Sequence, residues 1–259
     1  MTHEVFKKIH RFESVASTNH TLKEFCQKGA KLGTVVLAAA QTAGRGRGDH
    51  LWSSPVGGVY LSVLLAPREP KRITDLSILA GVAMAQAVRE VLPKAVDVGL
   101  KWPNDCLLNG KKVGGILCEA VPEDPTGLCV VGMGVNVNLS SAQLQPFLNN
   151  PFSATSFLMD CPGNDFQVER VAETVLRKLE NIYLSYLQNG FQSIQNLWER
   201  NCTLVGKKVE MTLSDKPGSS QKVSGVFLGL DEQGALILAV GPQGERQRFV
   251  SGELSCYWR

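Results

Sequence analysis

The residues best suited to bind a small anionic ligand lie between Gly44 and Trp52. Three glycines alternate there with Arg45 and Arg47, and Trp52 follows five residues after the second arginine. Glycine lets the backbone approach a ligand closely, guanidinium groups bind carboxylate and phosphate oxygens, and tryptophan offers a flat face for a ring. The segment indicates a loop that closes over a ligand such as an adenylate. The alternative is a flexible, solvated basic loop.

A second polar segment, Lys101–Asp105, follows a predicted strand and reads Lys-Trp-Pro-Asn-Asp. Strand ends next to loops are where ligands bind in α/β folds. Lys101 suits a phosphate, Asn104 suits a sugar or phosphate oxygen, and Asp105 suits Mg²⁺ or an amine. The alternative is a tight turn in which Asn104 and Asp105 bond their own backbone.

Glycines interrupt two further predicted strands. Lys112 comes just before the glycine pair 114–115, which indicates a bulge or a close ligand approach; the alternative for Lys112 is a solvated position after a turn. Gly132 and Gly134 share one face of the second strand, where they leave room for a flat group beside Asn136. The pattern lacks the third glycine and the helix of a dinucleotide-binding fingerprint.

Ser17 and Thr18 precede a helical stretch that contains Leu22 and Phe25. One of these hydroxyls is expected to cap the helix. A hydroxyl and exposed amide groups at a helix start can also hold a carboxylate or a ureido oxygen.

Composition excludes several classes of protein. The chain has 259 residues, 44% of them hydrophobic, which is enough for one large core and a small second domain. Its net charge of +3 does not indicate a dedicated nucleic-acid surface. The seven cysteines and four histidines have no metal-ligand spacing, and we expect Cys106 to be an inert buried thiol rather than an acyl-accepting nucleophile. No apolar run is long enough to span a bilayer and the first eight residues contain no apolar signal region, so we expect a cytoplasmic protein with free thiols.

Hydrophobic periodicity predicts an α+β fold with a mixed sheet and helices packed on it. Strands are predicted at 35–38, 59–65, 99–102, 112–119 and 128–138, and helices at 77–92 and 166–187. The Gly-Arg loop then connects the first two strands. Short strands at 209–213, 223–230, 235–240 and 247–250, separated by glycine-bearing turns, predict a small C-terminal β-barrel. We place a domain boundary near residue 204, between domains 1–203 and 204–259.

Taken in this order, the motifs resemble those of the biotin–protein ligases, also called biotin–[carboxylase] ligases or holocarboxylase synthetases. The resemblance covers roughly residues 10 to 255. It implies a class II synthetase-like catalytic domain with a Src-homology-like barrel. It also implies that biotin and ATP, with Mg²⁺, form biotinyl-5′-adenylate and pyrophosphate. The biotinyl group is then passed to a lysine of a biotin carboxyl carrier protein of the acetyl-CoA carboxylase type.

The resemblance also implies roles for individual residues. Biotin is held by Ser17, Thr18, Gln41, Arg45 and Lys112, with Gly114 and Gly115 against its rings. The nucleotide is held by Arg47, Trp52, Lys101, Asn104, Asp105 and Asn136, with Trp52 over the adenine. The catalytic set is Arg45, Arg47, Lys112 and Asp105. The cations neutralise the repulsion between carboxylate and phosphate. Asp105 orients or deprotonates the acceptor amine, and it is the sole candidate for direct metal ligation.

The chain departs from this family pattern at two points. His50 stands where some bacterial members have a third arginine, so a phosphate contact from that position is in doubt. Only sixteen residues precede Ser17, which leaves no room for a winged helix-turn-helix, so we expect no operator DNA binding. Weak or ligand-linked homodimerisation is expected. The alternative functions are lipoate or octanoate transfer on the same fold and, in another class, a non-catalytic adenylate-binding or nucleic-acid-binding module.

Overall fold

The computed structural model describes residues 4–48, 50–122, 124, 126–144, 154–164, 166–216 and 219–255, without the side chains of 214–216 and 219–220. Asp49 and Cys256, which belong to predicted features, lie outside the described residues. The strands are β1 Lys8–Val15, β2 Thr34–Gln41, β3 Gly58–Leu65, β4 Val98–Lys101, β5 Asp105–Leu108, β6 Lys111–Ala120, β7 Cys129–Asn136, β8 Lys208–Lys216, β9 Ser219–Leu230, β10 Leu236–Val240, β11 Glu245–Phe249 and β12 Glu253–Ser255. The helices are α1 Thr18–Gln27, α2 Ile73–Val91, α3 Ser141–Leu144, α4 Phe157–Asp160, α5 Val168–Asn189 and α6 Phe191–Asn201.

The first seven strands form one mixed sheet in the order β1-β2-β3-β7-β6-β5-β4. The β1–β2 pair is parallel, and every other neighbouring pair is antiparallel. All eight residues of β3 are buried, because both faces of the sheet are covered at its centre. The mixed sheet and its five predicted strands are confirmed, and β1 and β5 are additional strands.

Helices cover the two faces of this sheet separately. On one face α1 contributes Leu22 to a small cluster with Val36, Leu64 and Val130. On the other face α2 and α5 pack over the large core, which takes the alternate strand residues such as Val131. Side chains alternate between the two faces along a strand, so consecutive residues of one strand contact opposite sides of the sheet. The predicted helices at 77–92 and 166–187 correspond to α2 and α5.

The last five strands form an antiparallel sheet in the order β11-β10-β9-β8-β12. The predicted C-terminal β-structure is therefore present, with β12 as an additional strand. The two sheets fall on either side of residue 204, where the domain boundary stays a prediction. Arg72, at the start of α2, donates to the Glu232 carbonyl at 2.6 Å, which joins the C-terminal sheet to the large core.

None of the described helices combines the length and the apolar composition needed to cross a bilayer.

Candidate active site

A cavity of about 500 Å³ lies on the α1 face of the large sheet. Its walls come from the start of α1, the Gly-Arg loop, the turn between β4 and β5, strands β6 and β7, and the segment 252–254. The lining includes every residue that the sequence predicts for the site except Gly114, namely Ser17, Thr18, Gln41, Arg45, Arg47, Trp52, Lys101, Asn104, Asp105, Lys112, Gly115 and Asn136. The fold therefore collects residues that are up to 119 positions apart in the chain into one site.

The floor of the cavity consists of the glycines of two paired strands. Gly115 of β6 lies opposite Gly134 of β7 in the ladder. The indole of Trp52 lies against both of them. A Cβ at Gly134 would be 2.6 Å from the Trp52 Nε1, and one at Gly115 would be 3.2 Å from its Cζ3. Only glycine at these two positions lets a flat ring lie on the strands.

Gly114 does not belong to this floor. The prediction that it lies against the biotin rings therefore places it on the wrong face of the sheet. A Cβ at Gly114 would be 2.5 Å from the sulfur of Met84 in α2, on the opposite face of the sheet. The reason is a bulge. Cys106 pairs with Gly114 but Leu107 pairs with Lys112, so Val113 is the extra residue. The bulge offsets the alternation and brings Lys112 and Gly115 to the same face.

Lys112 and Asp105 form an ion pair in the cavity. The Lys112 Nζ lies 2.6 Å from the Asp105 Oδ1, and the side chains are 30% and 14% exposed. The same ammonium lies 5.3 Å from the centre of the Trp52 ring, within the range of a cation–π contact. The cation and the carboxylate predicted for catalysis are therefore already in contact.

The turn that carries Asn104 is held to two other parts of the molecule. The Asn104 Nδ2 donates to the Ile116 carbonyl at 2.7 Å, and the Ile116 N–H donates to the Asn104 carbonyl at 3.0 Å. Trp102, which precedes Pro103 through a cis peptide bond, donates from Nε1 to the Gly234 carbonyl at 3.3 Å. The side-chain amide of Asn104 thus fixes β6 to the turn, and its Oδ1 is the atom left for a ligand.

The Gly-Arg loop folds back on itself over the cavity. The Gly46 N–H donates to the His50 carbonyl at 2.7 Å, and the Trp52 N–H donates to the Gly44 carbonyl at 3.0 Å. Arg47 donates to the Gly252 carbonyl at 3.4 Å, which ties the loop to the C-terminal sheet. These hydrogen bonds hold the described residues of the loop, 44–48 and 50–52, to one another and to the C-terminal sheet.

His50 contacts the C-terminal sheet at the outer rim of the loop. Its Nε2 lies 3.4 Å from the Glu253 Oε1, and both side chains are about three-quarters exposed. An exposed pair of this kind contributes at most about 1 kcal/mol. The contact gives His50 a carboxylate neighbour, and His50 is also among the residues that line the cavity.

Hydroxyl and amide groups line the end of the cavity next to α1. Ser17 is the N-cap residue of α1, but its side chain makes no capping hydrogen bond. The Thr18 N–H donates to the Gln41 Oε1 at 2.8 Å, and the Gln41 Nε2 donates to the Ser54 Oγ at 2.7 Å. The expected capping role is therefore not observed for Ser17, and the Thr18 hydroxyl is engaged with Gln41 instead. Asn136, at the other side, donates to the Thr155 carbonyl at 2.9 Å.

Sequence reasoning missed several residues of the site. Asn19 lines the cavity, and so do Gly252, Glu253 and Leu254 of the C-terminal sheet. Asn19 carried a signal, because it is a polar residue that directly follows Ser17 and Thr18. The segment 252–254 carried none, since its position depends on how the two sheets pack.

Cys106 is fully buried, and burial raises the pKa of its thiol to about 12. A thiol with this pKa is protonated at neutral pH and is not a nucleophile. The expectation of an inert thiol is confirmed. An acyl-enzyme mechanism at Cys106, the chemistry that would have favoured octanoate transfer, has no support.

Comparison with known proteins matches the two parts of the chain to two family models. The model of the biotin/lipoate A/B protein ligase family matches residues 11–136, and that of the biotin protein ligase C-terminal domain matches residues 205–256. The bifunctional ligase/repressor BirA of Bacillus subtilis is 34% identical over 231 residues, which are 86% of this chain and 67% of the relative. The biotin–[acetyl-CoA-carboxylase] ligase of Paracoccus denitrificans is 31% identical over 224 residues, which are 85% and 88% of the two chains.

Among solved structures, the biotin protein ligase of Aquifex aeolicus in complex with biotin and ATP superimposes with a TM-score of 0.77. It is 29% identical, and the match covers 96% of this chain and 98% of that one. Two family models in the expected order, relatives matched over most of their length and the shared fold lead to one conclusion. The chain belongs to the biotin/lipoate A/B protein ligase family, within which it is a biotin protein ligase.

Proposed function

We propose that this protein uses ATP to convert biotin into biotinyl-5′-adenylate and then transfers the biotinyl group to a lysine of a biotin carboxyl carrier protein. The observation that carries the proposal is the convergence on one cavity of Arg45, Arg47 and Lys112 with a glycine floor beneath Trp52. The cations suit two reacting anions, and the floor suits a flat ring. Relatives matched over most of their length are named biotin ligases, which favours biotin over lipoate as the substrate.

In the first step a carboxylate oxygen of biotin attacks the α-phosphorus of ATP. The new P–O bond forms as the bond to the leaving pyrophosphate breaks, so two anions must meet. We assign Arg45 and Lys112 to the biotin carboxylate and Arg47 to its junction with the α-phosphate. Fixed cations at that point stabilise the charge of the transition state. Holding the two substrates together contributes up to about 7–11 kcal/mol in favourable systems.

Trp52 and Asn104 have positions that suit the nucleotide. We infer that adenine packs against the Trp52 indole, and that Asn104 offers its Oδ1 to the sugar. Lys101 and Asn136 extend the polar lining for the phosphates. An adenylate is a mixed anhydride that water destroys, so a loop closed over the cavity preserves it.

In the second step the neutral amine of the carrier lysine attacks the biotinyl carbonyl, an amide bond forms, and AMP leaves. The amine must lose a proton, and we assign that proton to Asp105. Lys112 now holds the carboxylate at 2.6 Å. When the phosphate of the adenylate engages Lys112, the carboxylate becomes available to the incoming amine.

Magnesium enters the proposal through ATP. Among the residues that the structure describes, no three His, Cys, Asp or Glu side chains are grouped so that they could hold a metal ion. Mg²⁺ is commonly bound by one or two carboxylates together with substrate phosphates. Asp105 is the carboxylate in the cavity that fits this mode, and the ion would supply further charge neutralisation on the phosphates.

The partner and the setting follow from the same activity. We propose a carrier of the acetyl-CoA carboxylase type as acceptor, and the cytoplasm as location, since the six described cysteines are free.

The outer edge of β1 is where we place weak or ligand-linked homodimerisation, because β1 pairs only with β2 in the sheet. Sedimentation with and without biotin and ATP tests the dimer.

The decisive experiment for the activity is ATP–pyrophosphate exchange in the presence of biotin or lipoate. We expect exchange that depends on biotin and is negligible with lipoate. Equal exchange with both acids, or none with biotin, would refute the proposed substrate. A carrier domain whose acceptor lysine is replaced by arginine is the control for the transfer step.

A further inference from the structure

A row of buried polar side chains lies behind the Thr18 end of the cavity, and the reaction described above does not use it. Ser62, in the fully buried strand β3, lies with its Oγ 2.6 Å from the Asn19 Oδ1 and 2.8 Å from the Thr18 Oγ1. Asn19 in turn contacts Glu119, which is paired with Lys23 at 2.6 Å. The row thus runs from a surface ion pair to the wall of the cavity.

Chemistry fixes which way the Asn19 amide points. Its Nδ2 lies 3.2 Å from the Leu117 carbonyl and 2.7 Å from the Glu119 Oε2. Burial raises the pKa of Glu119, but the hydrogen bonds from Lys23 and Asn19 outweigh this and hold the pKa below its usual value, so Glu119 is ionised at neutral pH. Both neighbours accept only. The Asn19 nitrogen therefore donates to them, and the Asn19 oxygen faces Ser62 as an acceptor.

The protons of the two hydroxyls follow from this orientation. Ser62 has one proton, and the Asn19 oxygen takes it, so the Ser62 Oγ can only accept from Thr18. The other neighbour of the Thr18 hydroxyl is the Gln41 Oε1 at 3.1 Å, which already accepts the Thr18 N–H. Both neighbours of this hydroxyl are acceptors, so one of them takes its proton. The Thr18 oxygen therefore presents only lone pairs, and no proton, to the cavity.

We propose that Ser62 and Asn19 are positioning residues that make Thr18 a hydrogen-bond acceptor toward the cavity, so that the site selects a ligand carrying a ring N–H group at this point. The inference rests on the proposed function and extends it to substrate choice. The cyclic urea of biotin has two N–H groups, whereas the dithiolane ring of lipoate has none. A ring without N–H would offer no donor to the lone pairs of the Thr18 oxygen that face the cavity, and this loss discriminates strongly between ligands.

Gly132 leaves the space that the Asn19 side chain needs to reach Ser62. It lies directly opposite Ser62 in the β3–β7 ladder. A Cβ at Gly132 would be 2.2 Å from the Asn19 oxygen, so any larger residue would push Asn19 away from Ser62. The glycine at this position therefore makes room for a protein side chain, whereas Gly134, two residues further along, makes room for a ring.

A double-mutant cycle on the full chain tests the proposal. The variants are Ser62→Ala, Thr18→Val and the double variant, and the measurement is the dissociation constant for biotin and for ATP by calorimetry. In Ser62→Ala, the Gln41 Oε1, at the longer distance, is the one remaining acceptor for the Thr18 proton. The hydroxyl can then turn its proton toward the ligand instead. We expect biotin to bind about five- to tenfold more weakly, with ATP affinity unchanged. In the Thr18→Val background the same substitution should change biotin affinity less than about twofold.

Equal losses in both backgrounds, or unchanged biotin affinity for Ser62→Ala, would overturn the inference, because Ser62 would then not act through Thr18. Ser62→Cys is the second variant, since a thiol occupies a similar space but both donates and accepts weakly. It should give an intermediate loss with the same dependence on Thr18. Lipoate as a competitor should gain relative to biotin in Thr18→Val. If the unmodified chain itself neither binds biotin nor exchanges pyrophosphate, the proposed function fails. If it does both and the cycle is additive, only this inference fails.

Discussion

Gly134→Ala is the substitution that most clearly distinguishes an effect on the cavity from an effect on the protein core. The new methyl carbon would lie 2.6, 2.7 and 3.0 Å from three atoms of the Trp52 indole. Ordinary van der Waals contact begins near 3.4 Å, so the ring must rise by about 0.8 Å at its closest atom. A shift of this size forfeits a quarter to a half of the dispersion contact between two surfaces.

The cost should appear in substrate binding rather than in folding. Packing of adenine on the indole contributes about 0.5–1.5 kcal/mol beyond buried area. Loss of this contact predicts a rise of about two- to twelvefold in the KM for ATP. Alanine is no worse than glycine in a strand, so the melting temperature should stay within about 2 °C of the parent. The assay is biotin-dependent ATP–pyrophosphate exchange at varied ATP, alongside thermal unfolding.

Gly114→Ala is the matched control, one ladder position away on β6. Its methyl group would meet the Met84 sulfur at 2.5 Å inside the core. Overpacking of this kind costs about 1–3 kcal/mol, so this variant should melt earlier and keep its KM values. The reasoning is refuted if Gly134→Ala has a normal KM for ATP, or if the two variants show the same profile.

Three further predictions concern other parts of the molecule. Asp105→Asn should slow the transfer of biotin from preformed adenylate to the carrier by about 10²-fold or more; normal single-turnover transfer would exclude Asp105 as the proton acceptor. The pKa of Glu119 in the folded protein lies below its ordinary value of 4.5. The ionised carboxylate therefore contributes its full stabilisation above pH 4.5, and this stabilisation is lost as the pH falls through the lower, folded pKa. The thermal unfolding of Glu119→Gln should depend less on pH below 4.5 than that of the parent. Trp102→Phe removes the hydrogen bond to Gly234 and should lower the free energy of unfolding by about 1 kcal/mol, measured by urea denaturation, and an unchanged midpoint would show that this link between the sheets contributes nothing.

Regular alternation made most of the large sheet predictable. Strands such as β3 and β7 have apolar residues at every second position, and the periodicity is visible without knowledge of the partners. β1 was missed because Ile9, Phe12 and Val15 do not alternate; it is an edge strand with several exposed residues. α6 was also missed, although Ile194 and Trp198 are buried one helical turn apart.

The candidate site was predictable as a set of residues but not as a geometry. The motifs predicted a shared site for Arg45, Arg47, Lys112 and Asp105, and all four line the cavity, while their roles stay predictions. The error at Gly114 has a local cause: a bulge shifts the alternation, and a bulge depends on the partner strand. The contribution of residues 252–254 depends on long-range packing, which leaves no mark in the local sequence.

The glycine floor has a consequence for attempts to alter the ligand. Gly115 and Gly134 already have the smallest possible side chain, so every substitution there shrinks the cavity. Space for a bulkier biotin analogue has to come from Trp52, the large side chain that lies on these two glycines. A design that shortens Trp52 and keeps both glycines would therefore enlarge the site, whereas a library directed at the floor could only select for smaller ligands.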